Sequence, residues 1–209
     1  MPTFESRTLT AFVPRVNRQY DNQLWFPRVF GKRQCESIID LASRLPREDA
    51  MVAGRGGDAS DQDTRVAGIA WMPTSGEFSW IFDKLARVVE RANRAYQFDL
   101  IGFTEDAQFT CYDSPGAFYD WHQDGLEGDL AGRKLSLVVQ LSDPSDYGGG
   151  DLSTFALASN PEVASAWSDD LRLQGSVTVF PAFEYHRVEP ITWGKRFSLV
   201  CWVGGPPFR

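Results

Sequence analysis

The chain has 209 residues, 43% hydrophobic and 13% aromatic, which suits one packed domain with a sizeable core and excludes an intrinsically disordered polymer. Its net charge of −7 gives no global basic field to draw in nucleic acid or an anionic membrane. Three widely spaced cysteines, Cys35, Cys111 and Cys201, make no disulfide framework or zinc knuckle. No apolar run is long enough to span a bilayer, and Met1-Pro2-Thr3-Phe4-Glu5 lacks the start of a secretion signal. The expectation is a cytoplasmic protein with reduced thiols.

Residues 1–22 carry no sustained period and read as an arm or irregular edge. Arg7, Arg15, Arg18, Arg28, Lys32 and Arg33 against Glu5 and Asp21 give this end a mild cationic bias, for which ordinary solvated charge is the simpler account. Leu24 to Phe30 reads as a short strand or docking segment. Cys35, Ile38, Ile39, Ala42 and Leu45 recur at helical steps until Pro46 ends the run. Residues 47–63 turn polar and glycine-rich, as in a lid or a disordered segment. Thr64 to Met72 predicts a strand. Thr74-Ser75-Gly76-Glu77 matches a capping box. The helix it would open places Phe78, Ile81, Phe82, Leu85, Val88, Val89, Ala92 and Tyr96 on one face.

After Gln97 short extended runs alternate with turn residues: 102–112, 117–122, 134–142, 150–156, 175–181, 184–190 and 196–203. In 134–141, Leu135, Leu137, Val139 and Leu141 share one face, and Lys134, Ser136, Val138 and Gln140 the other. Pro144, Ser145, Asp146 and Tyr147 with Gly148-Gly149-Gly150 read as a turn and 159–170 as a longer loop. Helices followed by many strands predict an α+β domain, with helices packed on one side of a β-sandwich or barrel.

The chain's two histidines both fall at suggestive positions. His122 and Asp124 form a His-x-Asp pair, and two residues apart on an extended backbone they project to the same face. His186 follows the strand-like Gly175–Pro181 segment. Two imidazoles and one carboxylate make the facial triad that holds non-haem Fe(II) with open positions left over. Arg196 and Ser198 also share a strand face. The guanidinium can grip a carboxylate through two parallel N–H···O bonds, and the hydroxyl can add a third contact.

From Phe109 to Val203 the chain resembles the Fe(II)/2-oxoglutarate dioxygenases, within them the prolyl-4-hydroxylase-like group that includes the bacterial PKHD-type hydroxylases. The resemblance rests on the segments 111–124, 135–144, 147–152, 175–186 and 194–198. It implies a double-stranded β-helix core (jelly-roll or cupin-like) with flanking N-terminal helices. The chain would then be one domain over 1–209, with 1–98 as arm, helices and strands and 99–209 as the catalytic core. The resemblance also implies that His122, Asp124 and His186 bind Fe(II). Arg196 would pair with the distal carboxylate of 2-oxoglutarate, with Ser198 beside it and Tyr112 adding a hydrogen bond. In such enzymes O2 oxidises 2-oxoglutarate to succinate and CO2 while a C–H bond becomes an alcohol.

Two other readings of the same residues stay open. A zinc hydrolase could use two His and one Asp, though it gives Arg196 and Ser198 no task. A non-catalytic binding domain would have no need to keep all four groups. Within the oxidative reading the substrate is a peptidyl residue, a free amino acid or small metabolite, or a nucleobase, which the acidic balance disfavours. The arm and the 47–63 loop are the candidates for covering the site. Trp71, Tyr119, Trp121, Phe183 and Trp193 are aromatic candidates for core packing or the pocket, and Asp151 and Glu184 read as surface or turn acids.

Overall fold

A computed structural model describes residues 21–49, 65–125, 128–155 and 169–207. The elements run β1 (Leu24–Phe26), α1 (Lys32–Ser43), β2 (Glu48–Asp49), β3 (Arg65–Val66), β4 (Gly68–Met72), α2 (Ser79–Tyr96), β5 (Gly102–Phe103), β6 (Ala107–Tyr112) and β7 (Phe118–His122). They continue β8 (Arg133–Gln140), β9 (Tyr147–Gly149), β10 (Leu152–Thr154), β11 (Val177–Pro181), β12 (His186–Val188), β13 (Ile191–Gly194) and β14 (Arg196–Gly204). A major sheet has the order β1-β11-β8-β14-β6-β4-β2, with β5 also pairing β14. A minor sheet has the order β10-β12-β7-β3, and β13 pairs β9. Neighbours are antiparallel throughout.

Strand alternation explains the layers. Odd-numbered residues of β6, β8, β11 and β14 (Phe109, Cys111, Leu135, Leu137, Val139, Val177, Val179, Leu199, Cys201) join the main apolar cluster. The buried stripe of α2 and the α1 residues Cys35, Ile38 and Ala42 enter the same cluster, so both helices cover one face of the major sheet. Tyr96 anchors α2 by donating from its hydroxyl to the Val179 carbonyl at 3.1 Å. Even-numbered residues of these strands face the other way, toward the minor sheet, and are also buried: Gln108, Thr110, Ser136, Gln140, Arg196 and Ser198. The polar face expected on β8 therefore looks into the space between two sheets, not into water.

Other expectations shift in detail. The α2 apolar face is buried throughout as expected, but the helix does not open on a Thr74–Glu77 capping box. A 3-10 turn at Gly76–Phe78 precedes it, with Ser75 as N-cap and no side-chain cap hydrogen bond. The strand expected over 64–72 divides into β3 and β4, one in each sheet. Of the turn read over 144–150, Pro144–Asp146 forms a 3-10 turn, while Tyr147–Gly149 supplies β9. The N-terminal arm, nearly all of the 47–63 loop and most of the 159–170 loop lie outside the described residues. Among the described residues, no helix is long and apolar enough to cross a membrane.

Candidate metal centre

β7 and β12 are neighbours in the minor sheet, and His122 and His186 are direct cross-strand partners. Asp124 follows β7, its N–H donating to the Ala182 carbonyl at 2.9 Å. These three residues form the one His/Cys/Asp/Glu cluster suited to a metal among the described residues, with candidate ligand atoms all within 4.8 Å of one another. His122 Nε2 lies 3.6 Å from Asp124 Oδ1, and His186 Nε2 lies 3.5 Å from Asp124 Oδ2. All three side chains are largely buried.

Each imidazole is oriented from behind. Nδ1 of His122 sits 2.7 Å from the Asp120 carbonyl, and Nδ1 of His186 sits 2.9 Å from the Glu184 carbonyl. A carbonyl can only accept, so Nδ1 carries the proton and the Nε2 lone pair faces the carboxylate. Ser136 Oγ donates to Asp124 Oδ2 at 2.6 Å. Burial, with the neighbouring His186, pushes the His122 pKa down to about 3. Burial alone would raise Asp124, but the adjoining imidazoles and the Ser136 hydrogen bond hold its carboxyl below the usual range. Neutral imidazoles and an ionised carboxylate are the forms that ligate a divalent ion.

The centre opens into a cavity of about 150 Å³ between the sheets, lined in part by His122, Asp124, His186, Tyr112 and Ser198. Arg196 pairs across the ladder with Tyr112 and stands behind Ser198. Its Nη1 is 3.4 Å from Ser198 Oγ, and its guanidinium lies 5.4 Å from the Tyr112 ring centroid. Arg196 is 1% exposed and its Nε has no partner. Among the described residues no carboxylate forms an ion pair with it. A buried cation left this way suits an anionic ligand, because an uncompensated buried charge is costly.

Five of the six candidate site residues thus line one cavity, and Arg196 stands beside two of them, Ser198 and Tyr112. Sequence reasoning missed others around them. Ser136 was assigned to a strand face but given no role. Tyr119, already an aromatic candidate, stacks on the His122 ring at 3.4 Å between centroids. Arg65 lies over the Tyr119 ring at 4.5 Å. Arg133 donates 3.0 Å to the Asp124 carbonyl, pairs with Glu105 and covers Trp202. Even-number phase on β6, β8 and β14 was the signal available for Gln108, Ser136 and Trp202; nothing local marked Arg65 or Arg133. Of the aromatic candidates, Trp71 and Tyr119 line the cavity. Trp121 packs on Phe155 and under Arg187, and Trp193 is half exposed. Asp151 pairs with Arg172 at 2.6 Å, and Glu184 contributes its backbone carbonyl to His186.

Comparison with known proteins follows the same residues. A sequence model of the 2OG-Fe(II) oxygenase superfamily matches residues 107–204. A PKHD-type hydroxylase of Synechococcus sp. (strain CC9902) is 37% identical over 89 residues, covering 42% of this chain and 36% of that protein. The PKHD-type hydroxylase PiuC of Pseudomonas aeruginosa is 31% identical over 104 residues, covering 46% of this chain and 41% of its own length. The match thus spans well under half the length of these curated relatives. Among solved structures, a prolyl-4-hydroxylase of Pseudomonas putida superposes with a TM-score of 0.64 at 20% identity, over 88% of this chain and 93% of that one. A Trichoplax adhaerens prolyl hydroxylase, in complex with a hypoxia inducible factor peptide fragment, gives 0.66 at 16% identity, over 88% and 84%. Their likeness establishes the fold, opposed antiparallel sheets of the double-stranded β-helix kind. Residues 107–204, with the His-Asp-His cluster among them, are thus the part of the chain that is similar to the 2OG-Fe(II) oxygenase superfamily.

Proposed function

We propose that the protein is an Fe(II)- and 2-oxoglutarate-dependent dioxygenase that hydroxylates an unactivated C–H bond of an amino acid, a peptidyl residue or a small metabolite, releasing succinate and CO2. The carrying observation is the cluster itself: two imidazole Nε2 atoms and one carboxylate converge at the wall of a buried cavity. His122, Asp124 and His186 would hold the iron. Arg196 would receive the distal carboxylate of 2-oxoglutarate, with Ser198 and Tyr112 beside it. Bound iron, with 2-oxoglutarate and O2, supplies the oxidation of the C–H bond.

The chain's own residues set up that chemistry. The Asp120 and Glu184 carbonyls fix the imidazole tautomers, and Ser136 fixes the carboxylate rotamer. Arg196 brings a permanent charge into a dry wall, where it is worth more than in water. Sheets on both sides wall the cavity. The chain would act as a single domain over 1–209, with 1–98 as arm, helices and strands and 99–209 as the catalytic core. Three buried free thiols fit a reducing, cytoplasmic compartment. The peptide complex of the Trichoplax enzyme keeps a peptidyl substrate in view beside a free small molecule.

Anaerobic titration with Fe(II) and 2-oxoglutarate tests this reading. The expected result is a weak visible charge-transfer band, weakened in Arg196→Ala and lost in His186→Ala. No band, with intact folding and tight zinc instead, would favour a hydrolase or a binding domain.

A further inference from the structure

A second buried arginine faces the same cavity. Arg65 lies on β3, the edge strand of the minor sheet, and is 6% exposed. Its cross-strand partner is Tyr119, whose ring lies under the guanidinium and stacks in turn on His122. Arg65 is therefore one aromatic ring away from a ligand of the candidate metal centre. Both Arg65 and Tyr119 line the cavity.

Tyr119 occupies one face of the guanidinium but none of its in-plane donors. Arg65 Nε and Nη2 are buried without a hydrogen-bond partner. No carboxylate pairs with Arg65 among the described residues. A purely structural arginine in this position would turn its fork to a carboxylate or to backbone carbonyls, as Arg133 does with Glu105 and Asp124. A buried fork with two unpartnered donors, on an arginine that lines a cavity, is complementary to a carboxylate, which can accept two parallel N–H···O bonds. Arg196, in the opposing sheet beside Ser198, already accounts for one anion. Arg65 is left for a second.

We infer that Arg65 anchors a carboxylate of the prime substrate, so that the enzyme acts on a free acid such as an unblocked amino acid rather than on an internal peptide residue. The inference rests on the dioxygenase reading above and extends it to a substrate class. Holding the substrate's acid group beside Tyr119 would keep the rest of the molecule in the cavity that His122, Asp124 and His186 also line.

The test loads wild type, Arg65→Gln and Arg65→Lys anaerobically with Fe(II) and 2-oxoglutarate. Each is titrated with the twenty L-amino acids, as free acids and as carboxamides. The readouts are displacement of the charge-transfer band and, after O2 is admitted, succinate release. At least one free acid is expected to shift the band and raise succinate release. Its carboxamide should bind roughly 10- to 100-fold more weakly, as expected for loss of hydrogen bonds to a charged group. Arg65→Gln should show the same loss for the free acid, and Arg65→Lys should recover part of it. Far-UV circular dichroism checks folding, and Arg65→Lys carries the comparison if Arg65→Gln does not fold.

Absence of the band in wild type would sink the dioxygenase reading itself. With the band present, three results overturn the Arg65 assignment alone: no free acid binds, carboxamides bind as well as acids, or Arg65→Gln binds the acid as tightly as wild type. Loss of the band in Arg65→Gln would assign this arginine to the cosubstrate and overturn it too.

Discussion

Replacing Ser136 by alanine removes a single hydroxyl, and the consequence can be worked from the geometry. Ser136 is fully buried on β8, and its Oγ donates to Asp124 Oδ2 at 2.6 Å. The carboxylate is itself 7% exposed, with one oxygen toward each imidazole. A hydrogen bond to an ionised group contributes about 1.5–3 kcal/mol, and water cannot readily replace the lost hydroxyl at a buried oxygen. Without it the carboxylate can rotate away from the ligand plane. Outer hydrogen bonds of this kind typically change metal affinity by about 10- to 100-fold, and that is the weakening expected for Ser136→Ala. The sign in pH follows as well. Ser136 helps to hold the Asp124 pKa low, so in the variant the carboxyl protonates at higher pH and the acid limb of metal binding moves upward. Competition against a chelating dye gives the dissociation constant for wild type, Ser136→Ala, Asp124→Asn and the double variant. The reasoning predicts that Ser136→Ala adds little on top of Asp124→Asn. Ser136→Ala within twofold of wild type, or effects that add fully in the double variant, would refute it.

Gly150 has φ +68, and an added Cβ would stand 2.3 Å from Ile191 Cδ1 and 3.0 Å from Arg196 Cδ. Gly150→Ala should therefore displace Arg196, lower stability by roughly 1–3 kcal/mol and weaken 2-oxoglutarate binding in the anaerobic titration. Leu137→Ala empties a fully buried position of the main core and should cost about 2–5 kcal/mol in urea unfolding while leaving the metal dissociation constant near wild type. Burial pushes the thiols of Cys35 and Cys111 up from 9.0 to about 11. The unfolded chain then ionises first, so stability is intact below pH 9 and falls as pH rises toward 11. One pKa unit corresponds to about 1.4 kcal/mol, so each thiol contributes up to roughly 3 kcal/mol to the loss. Urea midpoints at pH 8 and pH 10.5 measure it, and Cys35→Ala should remove about half of the difference that the two thiols make.

What could be read in advance divides along a physical line. The α2 stripe, the odd-numbered face of β8 and the His-x-Asp pair are local patterns, set by the period of their own element. His122 and Asp124 were legible because one short extended segment carries both. His186, Arg196 and Ser198 were legible because each ends or lines a recognisable strand, although only pairing could bring them together. The ladder does so: His186 registers with His122, and Arg196 with Tyr112.

The remainder depended on which surface each strand face would meet. Ser136 and Gln140 on β8, Gln108 and Thr110 on β6, and Ser198 on β14 alternate with apolar residues just as a solvent-facing side would. A second sheet converts that face into the wall of a buried cavity, and no feature within the strands encodes its presence. Arg65 shows the same limit more sharply. It lies at the start of the strand expected over 64–72 with nothing local to mark it, until β3 pairs with β7 and lays its guanidinium on Tyr119. Polar residues on strands that also carry a full apolar face are therefore ambiguous between solvent and site. Burial decides between them: Gln108, Thr110, Ser136 and Ser198 are all under a tenth exposed, and because desolvating such groups without a partner is unfavourable, Ser136 donates to Asp124 and Gln108 to Thr110.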